Sequence, residues 1–320
     1  MANEKADAVV AADGSGNFTT IAAAIAAAPL KSASRHVIHV KAGVYKEFVV
    51  IGKEKPNIAL IGDGMEKTMI TESRCCADSI KFKTPDTAIV SVHGDGFLAQ
   101  DICIENQAGP RMENGQAVAL LCSGDRCAVY RCSLKSYQDT LYAVSNKQFY
   151  RECRISGTVD FVFGDASAVF QKCELLARLP LQKQRNTITA QGKDRADSNT
   201  GFIFQNCTVA ADDDLSHSQA AVETYLGRPW KAFSRTVFMQ CSFSGIVHEL
   251  GWLQWEKDPV PDTLFYAEYK NTGPGADVSH RVKWPGFHVL HDATQVVSFT
   301  VANFINETNW LQSTGVPFTP

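Results

Sequence analysis

Ala128-Val129-Tyr130-Arg131-Cys132-Ser133-Leu134 is the stretch on which the fold turns, because its pattern occurs five times along the chain. Two apolar residues, two polar or flexible ones, a Cys and another apolar residue two further on return at Phe149 to Ile155, Val169 to Leu175, Ile203 to Val209 and Val237 to Phe243. The successive cysteines, 132, 153, 173, 207 and 241, lie 21, 20, 34 and 34 residues apart. Each segment is short and rich in Val, Ile, Phe and Tyr, which predicts a strand. Turn residues separate them: Gly124-Asp125, Ser145-Asn146, Gly164-Asp165, Gly192, Gly227 and Gly245. No helix-length amphipathic stretch lies between the closest repeats, which excludes a βαβ crossover there. Strands recurring about every 20 residues without helices predict an all-β solenoid, a parallel β-helix in which one residue set stacks coil upon coil. The 34-residue steps are coils carrying longer loops. A β-sandwich is the alternative, though it would more often show turns every ~8–12 residues and antiparallel hairpins.

Outward from the repeats, Phe18 to Ala28 has helical spacing, with Ile21 and Ile25 four apart, and is expected to cap the first coil. Val296 to Leu311 is expected to supply a closing helix. No linker composition interrupts the chain, so residues 1–320 read as a single domain. Hydrophobic residues at 45% and charged ones at 20% suit a globular chain with a sizeable core. Lys and Arg number 31 against 34 Asp and Glu, so no cationic excess exists to neutralise phosphates, which argues against a nucleic-acid partner. The alanine-rich run from Ile21 to Leu30 is about half of the ~20 residues a membrane span needs, so no membrane partner is expected. The ten cysteines include no C-x-x-C pair, and neither a structural zinc nor any other metal is expected. Sequons at Asn17, Asn206 and Asn306 fit a secreted glycoprotein, although the polar residues after Met1 do not read as a leader.

Coil periodicity turns sequence distance into spatial distance. Asp139, in Tyr137-Gln138-Asp139-Thr140-Leu141-Tyr142, and Asp160, in Gly157 to Gly164, are 21 residues apart, the step from Cys132 to Cys153. Adjacent coils would hold the two carboxylates about 5 Å apart. Gln116 and Gln138 are separated by 22, nearly the same step. Two carboxylates that close cannot both ionise easily, which separates a proton donor from a nucleophile. Neutral Gln amides beside them could donate to a developing oxyanion. Two solvated strand or turn residues would account for the Asp pair equally well at this level. Gln138 and Asp139 would also point to opposite faces of an ideal strand, so a bulge or turn is required between them. In Gly227-Arg228-Pro229-Trp230 a fixed guanidinium could hold a carboxylate ionised through a two-pronged contact. Gly251-Trp252-Leu253-Gln254-Trp255 adds aromatic faces that suit either sugar rings or a core.

Together these residues make the chain resemble the pectinesterases (pectin methylesterases), specifically the plant-type catalytic domain. The resemblance is carried by Gly43-Val44-Tyr45-Lys46-Glu47, Gln116-Ala117-Val118-Ala119-Leu120, Gln138 to Tyr142, Gly157 to Gly164 and Leu226-Gly227-Arg228-Pro229-Trp230, in that order. It implies a right-handed parallel β-helix with short capping helices that removes methyl esters from galacturonate units of pectin, releasing methanol. By the same resemblance, Asp160 is the nucleophile, Asp139 the general acid and then base, and Gln116 and Gln138 the oxyanion donors. Arg228 bonds Asp160, and Tyr142, Phe161, Trp230 and Trp252 line the sugar cleft. Disulfides Cys173–Cys207 and Cys103–Cys132, no cofactor, and a proteinaceous inhibitor as partner are implied too. So is a monomer secreted to the cell wall. The chain departs from the pattern at Ser136 and at His248-Glu249-Leu250, and Cys75-Cys76 has no counterpart role. A glycoside hydrolase acting on polygalacturonate, with paired carboxylates on the same fold, and a non-catalytic polysaccharide binder are the competing readings. The Gln pair argues against the former, since an oxocarbenium-like transition state gains nothing from oxyanion donors.

Overall fold

In the computed structural model, which describes residues 6–255, 258–305 and 310–320, each repeat splits at its cysteine between two sheets. The apolar half before the corner joins an eleven-stranded sheet running from Ala8–Val10 to Phe287–Leu290. The half after it joins an eight-stranded sheet from Gly43–Lys46 to Ser242–Phe243, and a third, seven-stranded sheet from Val49–Ile51 to Thr224–Gly227 closes each coil. The strands pair in parallel, and the molecule is a right-handed parallel β-helix. Ala128 pairs with Phe149, Phe149 with Val169, Val169 with Ile203 and Ile203 with Val237, which are the cysteine steps again.

The corner residue before each repeat cysteine is left-handed: Arg131 (φ 48°), Glu152 (51°), Lys172 (53°), Asn206 (54°) and Gln240 (56°). A non-glycine residue there costs about 1–2 kcal/mol. The next coil offsets that cost, since Arg131 N–H donates to Arg151 O (2.9 Å) and Glu152 N–H to Gln171 O (3.0 Å). The turn drives the following cysteine inward, where Cys132, Cys153, Cys173, Cys207 and Cys241 are at most 1% exposed and behave as small hydrophobes. Beside them runs a ring column, with centroids 4.6 Å apart for Tyr150–Phe170 and 4.5 Å for both Phe170–Phe204 and Phe204–Phe238.

All ten cysteines are free thiols in this structure, those of the two implied pairs among them. Cys173 and Cys207 belong to an evenly stacked column in which each sulfur donates to backbone: Cys173 Sγ to Gln171 O (3.5 Å) and Cys207 Sγ to Phe170 O (3.4 Å). Burial holds both thiols well above the usual range. Cys103 aligns with Ser133 in the ladder that Arg154 continues, while Cys132 belongs to the core.

The amino-terminal cap is the helix Ile21–Ala27, which buries Ile21, Ala24 and Ile25 over the first coil. Glu47 caps it, accepting from the N–H groups of Ile21 (2.8 Å) and Ala22 (2.9 Å), so the Gly43–Glu47 motif is a structural one. Among the described residues of 296–311, the expected closing helix is replaced by a 3₁₀ turn at Val297–Phe299 and one helical turn at Val301–Phe304. Thr300 is extended (φ −69°, ψ 158°), and the β-branched residues around it favour that break. Asn306 and its sequon lie outside the described residues.

Candidate active site

Ordered strand ends at Lys135 and resumes at Leu141, ends again at Gly157 and resumes at Val162. Asp139 and Asp160 stand in these two gaps with left-handed backbones, φ 66° and 53°. That turn is the one the sequence required, for it lets the neighbours Gln138 and Asp139 face one cavity. Leu141 pairs with Val162, so the two Asp residues are one coil apart, and Asp139 N–H donates to Val159 O at 3.0 Å. Gln116 joins the same cavity, although the register aligns it with Tyr137, one residue short of Gln138.

The cavity, about 420 Å³, gathers Gln116, Gln138, Asp139, Asp160 and Arg228 beneath Tyr142, Phe163, Trp230 and Trp255. Asp160 is 6% exposed and held on two sides. Arg228 grips it as a fork, Nε to Oδ1 at 2.8 Å and Nη2 to Oδ2 at 2.7 Å. Thr187 Oγ1 donates to Asp160 Oδ1 (2.6 Å) and accepts the Asp160 N–H (2.8 Å). Asp139 is 8% exposed, and no described residue hydrogen-bonds its carboxyl. Burial first, then the charge of Asp160, pushes its pKa well above the usual carboxylate range, with Arg228 pulling the other way. One carboxyl is thus built to keep its proton and the other is ion-paired.

Arg228 reaches Asp160 from two coils further on because Gly227 packs flat against Thr189. A Cβ at 227 would fall 2.0 Å from Thr189 Oγ1. The outer side of the guanidinium lies 4.1 Å over the Trp255 ring. Gly192 gives the same close approach to Trp230, whose ring would meet a Cβ at 2.6 Å. Tyr142 stacks on Phe163 at 4.2 Å, and Trp230 meets Phe163 edge-on at 6.2 Å.

Two expected cleft residues are elsewhere. Phe161 is fully buried, because the left-handed turn at Asp160 sends the next side chain into the core, and Phe163 takes the cleft position. Trp252 is 1% exposed, stacked on Tyr266 at 4.1 Å, with Nε1 donating to Glu268 Oε1 at 3.3 Å. Trp255 is the cleft tryptophan of that segment. Thr187 was not found from sequence because the coil after Cys173 is 34 residues long and breaks the simple period. The Cys75-Cys76 segment supports the site from behind, with Cys76 N–H donating to Gln116 O (3.1 Å). His248 stacks on Tyr225 at 4.8 Å and does not reach the cavity.

A larger groove, about 660 Å³, lies on the outer face of the eight-stranded sheet. Its charges largely satisfy each other, as in Arg154 with Glu174 (2.7 Å) and Glu66 (2.9 Å), and it presents no matching acid–base pair. Among the described residues no group of three or more His, Cys, Asp or Glu is placed to hold a metal ion, and no helix is long and apolar enough to cross a membrane.

Comparison with known proteins agrees with this geometry. The family model described as Pectinesterase matches residues 7–308. The chain is 52% identical over 313 residues to the probable pectinesterase/pectinesterase inhibitor 32 of Arabidopsis thaliana, covering 98% of this chain and 59% of that protein. It therefore spans between half and three fifths of the length of the curated relatives it matches. Among solved structures it superposes on pectin methylesterase from carrot with a TM-score of 0.96 and 46% identity, over 99% of this chain and 98% of that one. A pectin methylesterase in complex with a hexasaccharide aligns with a TM-score of 0.80 and 28% identity, over 99% and 100%.

Proposed function

The chain belongs to the pectinesterase family, and on that premise we propose that it hydrolyses the methyl esters of galacturonate units in pectin, acting as one catalytic unit over 1–320. The observation that carries the reading is the unequal Asp pair, one ion-paired and one proton-retaining, in a cavity with two Gln amides. Asp160, oriented by Arg228 and Thr187, attacks the ester carbonyl carbon through a carboxylate oxygen. The carbonyl oxygen becomes an anion that the Gln116 and Gln138 amide N–H groups stabilise. Asp139 gives its proton to the departing methoxy oxygen, and methanol leaves an anhydride between Asp160 and the sugar. Water then adds to the sugar acyl carbon while Asp139 takes one of its protons. The Asp160 carboxylate is released, and the product acid loses its proton to solvent. Tyr142, Phe163 and Trp230 give the sugar chain apolar faces beside these polar groups. The hexasaccharide bound by the structural relative supports a groove for several sugars.

The names of relatives that join pectinesterase with pectinesterase inhibitor support a proteinaceous inhibitor as partner. The sequons and the plant relatives support an extracellular, cell-wall setting for a monomer. Treating esterified pectin with the protein and measuring methanol, free carboxylates and reducing ends tests the reaction. Methanol and carboxylates in equal amounts with no new reducing ends is the expected result. Reducing ends rising in step with turnover would replace the esterase with a glycosidase, and no product at all would leave only binding.

A further inference from the structure

We propose that Arg178 is a positioning residue for catalysis, a strut that holds the Gln138-Asp139 segment in place from two coils away. Ser136 to Thr140 has no strand ladder of its own, and Asp139 within it sits in the left-handed region. Such a segment keeps its geometry only if its surroundings over-determine it. Ala177 pairs with Gly157, and Arg178 N–H donates to Gly157 O at 2.8 Å, which places Arg178 in the column of Thr158 and Tyr137.

From there the guanidinium reaches back across Thr158. Nη1 donates to Ser136 O (3.1 Å), Nη2 donates to Tyr137 Oη (2.9 Å), and the plane lies 3.9 Å over the Tyr137 ring. The third edge is fixed too, since Nε donates to Asp214 Oδ2 (3.0 Å), whose Oδ1 accepts the Leu179 N–H (2.9 Å). Carbonyl, ring and carboxylate are met at once by a planar fork, which a lysine ammonium cannot do. Arg178 lines the outer groove and not the cavity holding Asp139, so it acts through Ser136 and Tyr137 and not on substrate. The two residues it clamps are followed directly by the oxyanion donor and the general acid of the proposed reaction. A displacement of about 1 Å there is enough to cost orders of magnitude in rate.

The inference rests on the esterase reading for its assay. The test is steady-state methanol release from pectin by the full chain carrying Arg178→Lys, Asp214→Asn, or both, with folding followed by circular dichroism and thermal melting. Arg178→Lys is expected to lower kcat about tenfold with KM held within about twofold, and Asp214→Asn to do the same more weakly. Because the two act as one unit, the double variant should be no worse than Arg178→Lys alone. Should Arg178→Lys fail to fold, Asp214→Asn carries the test by the same kcat-against-KM split. An unchanged kcat in folded variants, a fall that tracks the unfolded fraction, or multiplicative losses in the double variant overturns the strut. Absence of methanol release by the unmodified chain would instead overturn the esterase reading.

Discussion

Asp139→Asn should yield a poorer catalyst and a more stable fold, and the gain in stability should depend on pH. Asp139 keeps its proton because burial and the nearby Asp160 charge penalise ionisation. A carboxyl whose folded pKa is raised binds its proton more tightly folded than unfolded. Below the ordinary value of 3.8 it therefore costs the fold nothing, and stability falls as pH climbs from there toward the raised pKa. Asparagine has the same shape and never ionises, so the penalty disappears. Two carboxylates one coil apart, about 5 Å, repel by ~3 kcal/mol at an effective dielectric constant near 20. Burial adds to this and Arg228 offsets part of it, leaving on the order of 1–3 kcal/mol near pH 7. For a chain of 320 residues, with an unfolding entropy of roughly 2 cal/mol/K per residue, the melting temperature should rise by about 2–4 °C. Melting curves of both proteins from pH 4 to 8 should diverge upward from a near-zero gap at the acid end. Over the same range kcat should fall by about 10²–10⁴, the usual worth of a general acid. A variant less stable than the parent at pH 7, a gap that closes as pH rises, or more than about a tenth of kcat retained (under ~1.4 kcal/mol of barrier) refutes the assignment.

Four further substitutions separate scaffold from site. Trp252→Ala should cost about 3–5 kcal/mol of stability, whereas Trp255→Ala should leave the melting temperature within a degree or two and raise KM severalfold; equal effects on both readouts would undo the distinction. Gly227→Ala places a methyl 2.0 Å from Thr189 Oγ1 and must displace Arg228 from Asp160, so kcat should drop at least tenfold, and near-normal kinetics would show that the close approach is dispensable. Glu268→Gln leaves Arg281, 2% exposed and now paired at 2.8 Å, without its counter-charge. A loss of about 3–5 kcal/mol in denaturant unfolding is expected, with turnover per folded molecule unchanged.

The coil period was legible because cysteine occupies the inward position after five successive corners, from Arg131-Cys132 to Gln240-Cys241. The same arithmetic placed Asp139 over Asp160, since both stand at one point of successive coils. What the period cannot carry is side-chain direction after a left-handed residue, which is why Phe161 and Phe163 exchange roles. Thr187 was hidden by loop length, and Trp252 and Trp255 have identical chemistry but opposite surroundings. The closing helix was misread because β-branched residues with apolar spacing resemble a helix in pattern while resisting one in backbone.

The two-residue corners, Arg131-Cys132 through Gln240-Cys241, have a consequence for how such a protein can change over generations. They never vary in length, whereas the connections that follow the eight-stranded sheet grow from 5 and 4 residues at 136–140 and 158–161 to 8 at 178–185 and 12 at 212–223. An insertion at the cysteine corner would shift a whole rung out of phase and expose its rings. One in the other connection merely lengthens a rim. Asp139 and Asp160 lie in those elastic connections, so the edge that accepts new residues most readily is the edge that holds the cavity. Diversification of what is recognised can proceed there while the spine keeps its count.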